Sequence, residues 1–119
     1  MAFHSFEDLE VWKRASRLAV DVCRELGTSN HFALRDQIQR AAIPIPSNIA
    51  EGSERDSPKE FVRFLRIAKG SAAELRTQIY IANRLGVLAD NQSKAFVGEC
   101  KEISAMLQGL IRSIQPDRH

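Results

Sequence analysis

Between Gln37 and Gly52 the chain keeps the apolar spacing of a helix straight through two prolines. Leu34, Ile38, Ala41, Ile45, Ile49 and Gly52 stay within roughly 40° of one direction when successive residues are set about 100° apart. A turn at Pro44 or Pro46 would leave no reason for Ile45 and Ile49 to continue the register of Leu34 and Ile38, so the spacing predicts one kinked helix. Proline in a helix interior removes a hydrogen bond and strains another, at about 3 kcal/mol, and packing has to offset that cost. Alternatively the helix ends at Ile43 and a second short one begins, with Pro44 or Pro46 in its first turn, where proline fits.

The same period recurs on either side. Leu9, Trp12, Ala15, Leu18, Ala19, Val22, Cys23 and Leu26 predict a helix over about 6–26, with a capping-box start at Ser5 and Asp8 and a left-handed stop at Gly27. Thr28-Ser29-Asn30 then leads into the kinked helix, about 31–54, with exposed His31 at its start. Ser57-Pro58-Lys59-Glu60 places serine at the N-cap, proline at the first helical position and glutamate at the third. The stripe Phe61, Phe64, Leu65, Ala68, Ala72, Leu75, Ile79 and Ala82 carries this helix over about 58–85, to a stop at Gly86. Within it, Gly70-Ser71-Ala72-Ala73 predicts a close approach by a neighbouring backbone, since no strand precedes it to make a phosphate loop. Phe96, Cys100, Ile103, Leu107, Leu110, Ile111 and Ile114 mark a last helix over about 91–114, ahead of a short polar tail expected to fray.

Six glycines and four prolines in 119 residues leave long uninterrupted runs and no need for a strand. The expectation is one all-α domain over 1–119, an up-down-up-down antiparallel four-helix bundle whose second helix is kinked at Pro44/Pro46. A net charge of +2 permits contact with nucleic acid but is far from that of a dedicated nucleic-acid coat. Cys23 and Cys100, far apart and each on an apolar stripe, suit two reduced core thiols better than a disulfide or a metal pair, which fits a reducing cytoplasm. No signal peptide is recognisable and no apolar run approaches the ~18 residues of a membrane span.

Three surfaces are candidates for function. On the kinked helix, Gln37, Arg40, Asn48, Glu51 and Arg55 lie about 100° from the apolar stripe and border the core, with Glu74 of the third helix expected to pair with Arg40 or Asn48 in a structural polar network. Ile43, Pro46 and Ala50 form a third side too apolar for an outer bundle helix, which implies an oligomer interface with a second copy as the simplest partner. The third helix carries Lys59, Arg63, Arg66, Lys69, Arg76 and Arg84 against Glu60 and Glu74. Lys59, Arg63, Arg66 and Arg84 project to one sector, with Lys69 nearby, either a solvated face or a basic stripe able to hold phosphates. No catalytic or metal-ligating cluster, nucleophile elbow or glycine-rich phosphate motif is present, so no enzyme activity and no cofactor are expected.

Phe6-Glu7-Asp8-Leu9-Glu10-Val11-Trp12, then Leu34 to Arg40-Ala41-Ala42 with Ile45-Pro46-Ser47-Asn48-Ile49-Ala50-Glu51-Gly52 and Arg55, then Phe64-Leu65-Arg66-Ile67-Ala68-Lys69-Gly70-Ser71 with Glu74-Leu75, resemble the bacterial four-helix-bundle proteins encoded in 23S ribosomal RNA intervening sequences. The resemblance covers nearly the whole chain. It implies a homopentameric bundle without known catalytic activity, related to a retroelement accessory protein that binds reverse transcriptase and nucleic acid through a basic barrel. The family usually has serine where this chain has Pro44, which implies a sharper bend here. The expected role is therefore a non-enzymatic oligomer contacting RNA or a ribonucleoprotein through its basic face, or alternatively a protein-protein scaffold that binds no nucleic acid.

Overall fold

The helical periods become four rods in the computed structural model, which describes residues 5–27 and 29–115. Met1–His4, Thr28 in the first connection and the tail 116–119, expected to fray, lie outside the described residues. The rods are α1 (Glu10–Leu26), a bent second rod made of α2 (Phe32–Ala42) and α3 (Pro44–Ser53), then α4 (Pro58–Arg84) and α5 (Asp90–Ile114). They pack as an up-down-up-down four-helix bundle, without a strand among the described residues. The bundle is 45 Å long and 24 by 20 Å across; at 1.5 Å per residue α4 alone spans about 40 Å, so it sets the length. α4 packs against α2, α3 and α5, and α1 closes the other side.

The second rod runs through its prolines. Ile43 keeps right-handed helical angles (φ −64°, ψ −41°); its amide donates to the Gln39 carbonyl at 3.2 Å and its carbonyl accepts from the Ser47 amide at 3.3 Å. Pro44 and Pro46 bring no amide hydrogens, so the carbonyls of Arg40 and Ala42, four residues back, have no amide partner on the ladder. Packing holds the join closed: Ile38, Ala42, Ile45 and Ile49 are fully buried across it, each isoleucine contributing about 1.5–3 kcal/mol by burial against a proline cost of about 3 kcal/mol.

Other local expectations are met or corrected. Ser57 caps α4 by accepting from the Glu60 amide at 3.1 Å, with Pro58 at the first helical position. The capping box at Ser5 is present, but it closes a separate 3-10 turn, Phe6–Asp8; Leu9 is extended, and α1 starts afresh at Glu10. Phe6 meets Trp12 edge-on at 5.1 Å, which seats that turn on α1. Gly27 is not left-handed (φ −65°); the left-handed stop is Gly86 (φ +74°) after α4, where the Val87 amide reaches back to the Ala82 carbonyl at 2.9 Å. Of the small-residue patch 70–73, Ser71 and Ala72 are buried, but no close approach is made at Gly70, where an added β-carbon would meet nothing within 4 Å. The approach falls at Gly52 instead, where an added β-carbon would lie 2.6 Å from Phe64 Cβ and 3.3 Å from the Phe61 carbonyl oxygen.

One ion pair ties the first and last rods: Arg14 donates from Nε and Nη2 to the two Glu99 carboxylate oxygens at 2.8 and 2.6 Å. The hydrogen bonds from Arg14 hold the Glu99 carboxyl below its usual range.

Two outcomes are expected in urea unfolding. Gly52→Ala costs about 1–3 kcal/mol, because Cβ and backbone neighbours have nowhere to move, whereas Gly70→Ala is neutral or stabilising. Glu99, with its folded pKa depressed, stabilises the bundle at neutral pH, and that contribution is lost as pH falls through the folded pKa. Glu99→Gln should therefore lower stability by at most about 1 kcal/mol at pH 7, and the difference from wild type should shrink as pH falls below the usual carboxylate range toward the depressed folded pKa of Glu99.

Candidate nucleic-acid interface

The orientation of α4 follows from its apolar stripe. Phe61, Leu65, Ala68, Ala72, Leu75, Ile79 and Ala82 are buried, which turns Lys59, Arg63, Arg66 and Arg84 to the outside, where all four are exposed. They are not equivalent. Arg63 forms a two-armed bond with Glu60, both contacts 3.1 Å, and lies 4.6 Å over the Phe64 ring. That bond lowers the Glu60 pKa and raises that of Arg63. Lys69, half-buried, donates from Nζ to the neutral Gln108 Oε1 on α5 at 2.8 Å and has no acidic partner among the described residues. Lys59, Arg66 and Arg84 form no ion pair among the described residues.

The groove between α4 and α5 adds basic residues that the sequence pattern left unassigned. Lys94 and Lys101 of α5 line one end together with Tyr80 of α4, in a cavity of about 410 Å³. At the other end Lys59, Arg63 and Arg66 border a second, open cavity of about 460 Å³, lined also by Glu60 and by Gln115 after α5. Between them, Arg76 reaches close enough to Cys100 to act on its thiol electrostatically, and Gln108 takes Lys69. Lys94, Lys101 and Gln108 stand seven residues apart, a spacing of about two helical turns that keeps them on one side of α5. That line was present in the sequence, but the apolar period of α5 alone does not say which neighbour its flank meets.

The six polar residues bordering the core are not joined within one chain. Gln37, Arg40, Glu51 and Arg55 are exposed, Asn48 is half-buried, and Glu74 is exposed rather than turned to Arg40 or Asn48. Asn48 instead donates to the Pro44 carbonyl of its own helix at 2.8 Å, and Arg55 sits 5.0 Å over the Phe64 ring. Among the described residues no hydrogen bond or ion pair links any two of the six. The cause is rotation: Glu74 lies between buried Ala72 and Leu75 in sequence, but about 140° from the core direction of α4. Ile43 is 52% exposed, while Pro46 and Ala50 are half-buried beside it on the same rod.

Comparison with known proteins gives one family and a matching fold. The profile described as 23S rRNA-intervening sequence protein matches residues 7–109. Among solved structures, a protein of unknown function from the S23 ribosomal protein family of Bacteroides thetaiotaomicron superposes with a TM-score of 0.80 at 23% identity, covering 86% of this chain and 98% of that one. At that identity the likeness shows the fold. No curated protein matches the chain.

Chemistry at these surfaces is that of charge, hydrogen bonding and aromatic contact. Among the described residues no group of three or more His, Cys, Asp or Glu could hold a metal ion, and no helix is long and apolar enough to cross a membrane. Both cysteines are free thiols; burial pushes Cys100 up to about 12 and raises Cys23 as well. In a thiol titration with an aromatic disulfide at pH 8, Cys100 should stay unmodified in the folded protein while Cys23 reacts slowly, and both should react at once in denaturant. Rapid modification of Cys100 in the folded state would contradict its burial.

Proposed function

The chain belongs to the 23S rRNA-intervening sequence protein family, and on that premise we propose that it is a non-enzymatic, self-assembling bundle protein that contacts RNA or a ribonucleoprotein through the basic side of α4. The observation that carries this reading is the exposure of Lys59, Arg66 and Arg84 on one helix without an acidic partner. Unpaired cations on a rigid rod can meet a phosphate backbone without first breaking an ion pair, and each contact releases condensed counterions. Arg63 serves less as a phosphate contact than as a brace, since Glu60 and Phe64 already hold it.

Self-association uses the apolar side of the bent rod, Ile43 with Pro46 and Ala50, in a homo-oligomer that family resemblance makes a pentamer. The polar residues Gln37, Arg40, Asn48, Glu51, Arg55 and Glu74, which do not satisfy one another within a chain, find their partners across copies. An assembly repeats the α4 stripe around its circumference, so a net charge of only +2 per chain is concentrated into several basic surfaces. The second reading, a cytoplasmic protein scaffold, is favoured by that same low charge and by exposed Ile43 and Phe32.

Charge reversal separates the two. Lys59→Glu, Arg66→Glu and Arg84→Glu together should weaken RNA binding at least about tenfold at 0.1 M salt and flatten the dependence of log K on log salt by about two; unchanged binding removes the RNA reading. A scaffold would instead retain its protein partner at high salt. Light scattering should give an oligomer that Ile43→Asp shifts toward monomer, and a stable wild-type monomer at micromolar concentration ends the assembly proposal.

A further inference from the structure

We infer that the groove between the C-terminal third of α4 and the first half of α5 holds one unpaired RNA nucleotide, with its base on Tyr80, its polar edge at Ser93 and its phosphates beside Lys94 and Lys101. The inference rests on the RNA reading for the class of polymer, but the site is built from other residues.

Tyr80 is the chain's sole tyrosine and is 48% exposed. An exposed tyrosine by itself is ordinary; what borders this one is not. Ser93, lining the same cavity, is only 6% exposed, and its hydroxyl has no hydrogen-bond partner. A buried hydroxyl left unmet is destabilising, and a polar group entering the groove would satisfy it. Gly98 leaves the floor open, since a β-carbon built there would meet nothing within 4 Å. Lys94 and Lys101 are exposed and form no ion pair among the described residues. The acid on the cavity wall, Asp90, already accepts from the Asn83 side-chain amide at 2.8 Å, so it is drawn toward α4. At about 410 Å³ the cavity is of small-ligand size.

These groups match the parts of a nucleotide. A ring face stacks on a base of any identity, a hydroxyl that both donates and accepts meets a base edge or ribose, and two ammonium groups meet phosphates. An acidic peptide could also use the lysines, but only a nucleotide offers a flat π-face to the Tyr80 ring together with a hydrogen-bonding edge for Ser93 and a phosphate for the lysines in one small unit. Duplex RNA keeps its bases stacked inside, so it cannot place one in the groove. The site also extends the basic stripe: Tyr80 is fourteen residues beyond Arg66 on α4, about 21 Å along the helix, so one short strand can touch both.

The test is fluorescence anisotropy with a labelled oligoadenylate and with an RNA hairpin duplex, alongside titration of AMP followed by ligand-observed NMR. Tyr80→Ala should weaken the single strand about tenfold with the duplex unchanged, and Tyr80→Phe, which keeps the ring, should bind as wild type does. Ser93→Ala should weaken AMP and the single strand without lowering the melting temperature, because its hydroxyl has no partner in the folded protein to lose. If Tyr80→Ala binds the single strand as tightly as wild type, or if wild type takes up neither the oligonucleotide nor AMP, the nucleotide site is overturned. Sensitivity to Tyr80 with indifference to reversal of Lys59, Arg66 and Arg84 supports the site and removes the α4 stripe; the opposite pattern removes the site and leaves the stripe.

Discussion

A rod with two prolines in its middle can stay in one piece only if what packs on it outweighs the hydrogen bonds it lacks. In this chain Ile38, Ile45 and Ile49 do so, buried on one line across the join, while Gly52 lets the far half settle directly on Phe61 and Phe64 of α4. Everything outward of that contact follows. With α3 seated on one flank of α4 and α5 on the other, the direction in which the α4 cations leave the bundle is decided by core packing and not by their own interactions.

Charge is sorted between the two sides of α5. Glu99 and Glu102 face α1, where Arg14 bonds the first closely and stands 3.9 Å from the second. Lys94 and Lys101 lie on the other side with Tyr80. The near-balance of α5 in sequence thus conceals a dipolar helix, with its carboxylates occupied in holding the bundle and its ammonium groups left to the groove. Overall charge says little about recognition here, because the two signs do different work at different places.

The rods, the bend and the cap of α4 were legible because they depend on period and on a few residues with strong backbone preferences: Ser57, Pro58, Gly86. The apolar stripe through Pro44 and Pro46 was sufficient to anticipate the kink. Errors arose where the outcome depends on a neighbour. Small size at Gly70 and at Gly52 looks alike in sequence, yet only Gly52 meets another rod. Glu74 is a different case: sequence proximity to Ala72 and Leu75 suggested the core edge, while the helical period already turns it to the solvent side of α4. The basic stripe on α4 could be projected from one helix, whereas the groove it shares with Lys94, Lys101 and Tyr80 required knowing which flank of α5 turns toward α4. Arg63 and Arg66 could not be told apart until Glu60 and Phe64 were seen to hold the first.

The interrupted ladder at Pro44 and Pro46 makes the second rod two levers on a knuckle. α3 is anchored to α4 through Gly52, and α2 packs on α4 and α1; the Ile43 and Ser47 amides still bond across the join, so the two halves meet where only the two proline bonds are missing from the ladder. The bend at Ile43 therefore sets where Arg40 and Ile43 stand on the outline of the bundle, while the contact at Gly52 sets how the rod sits on α4.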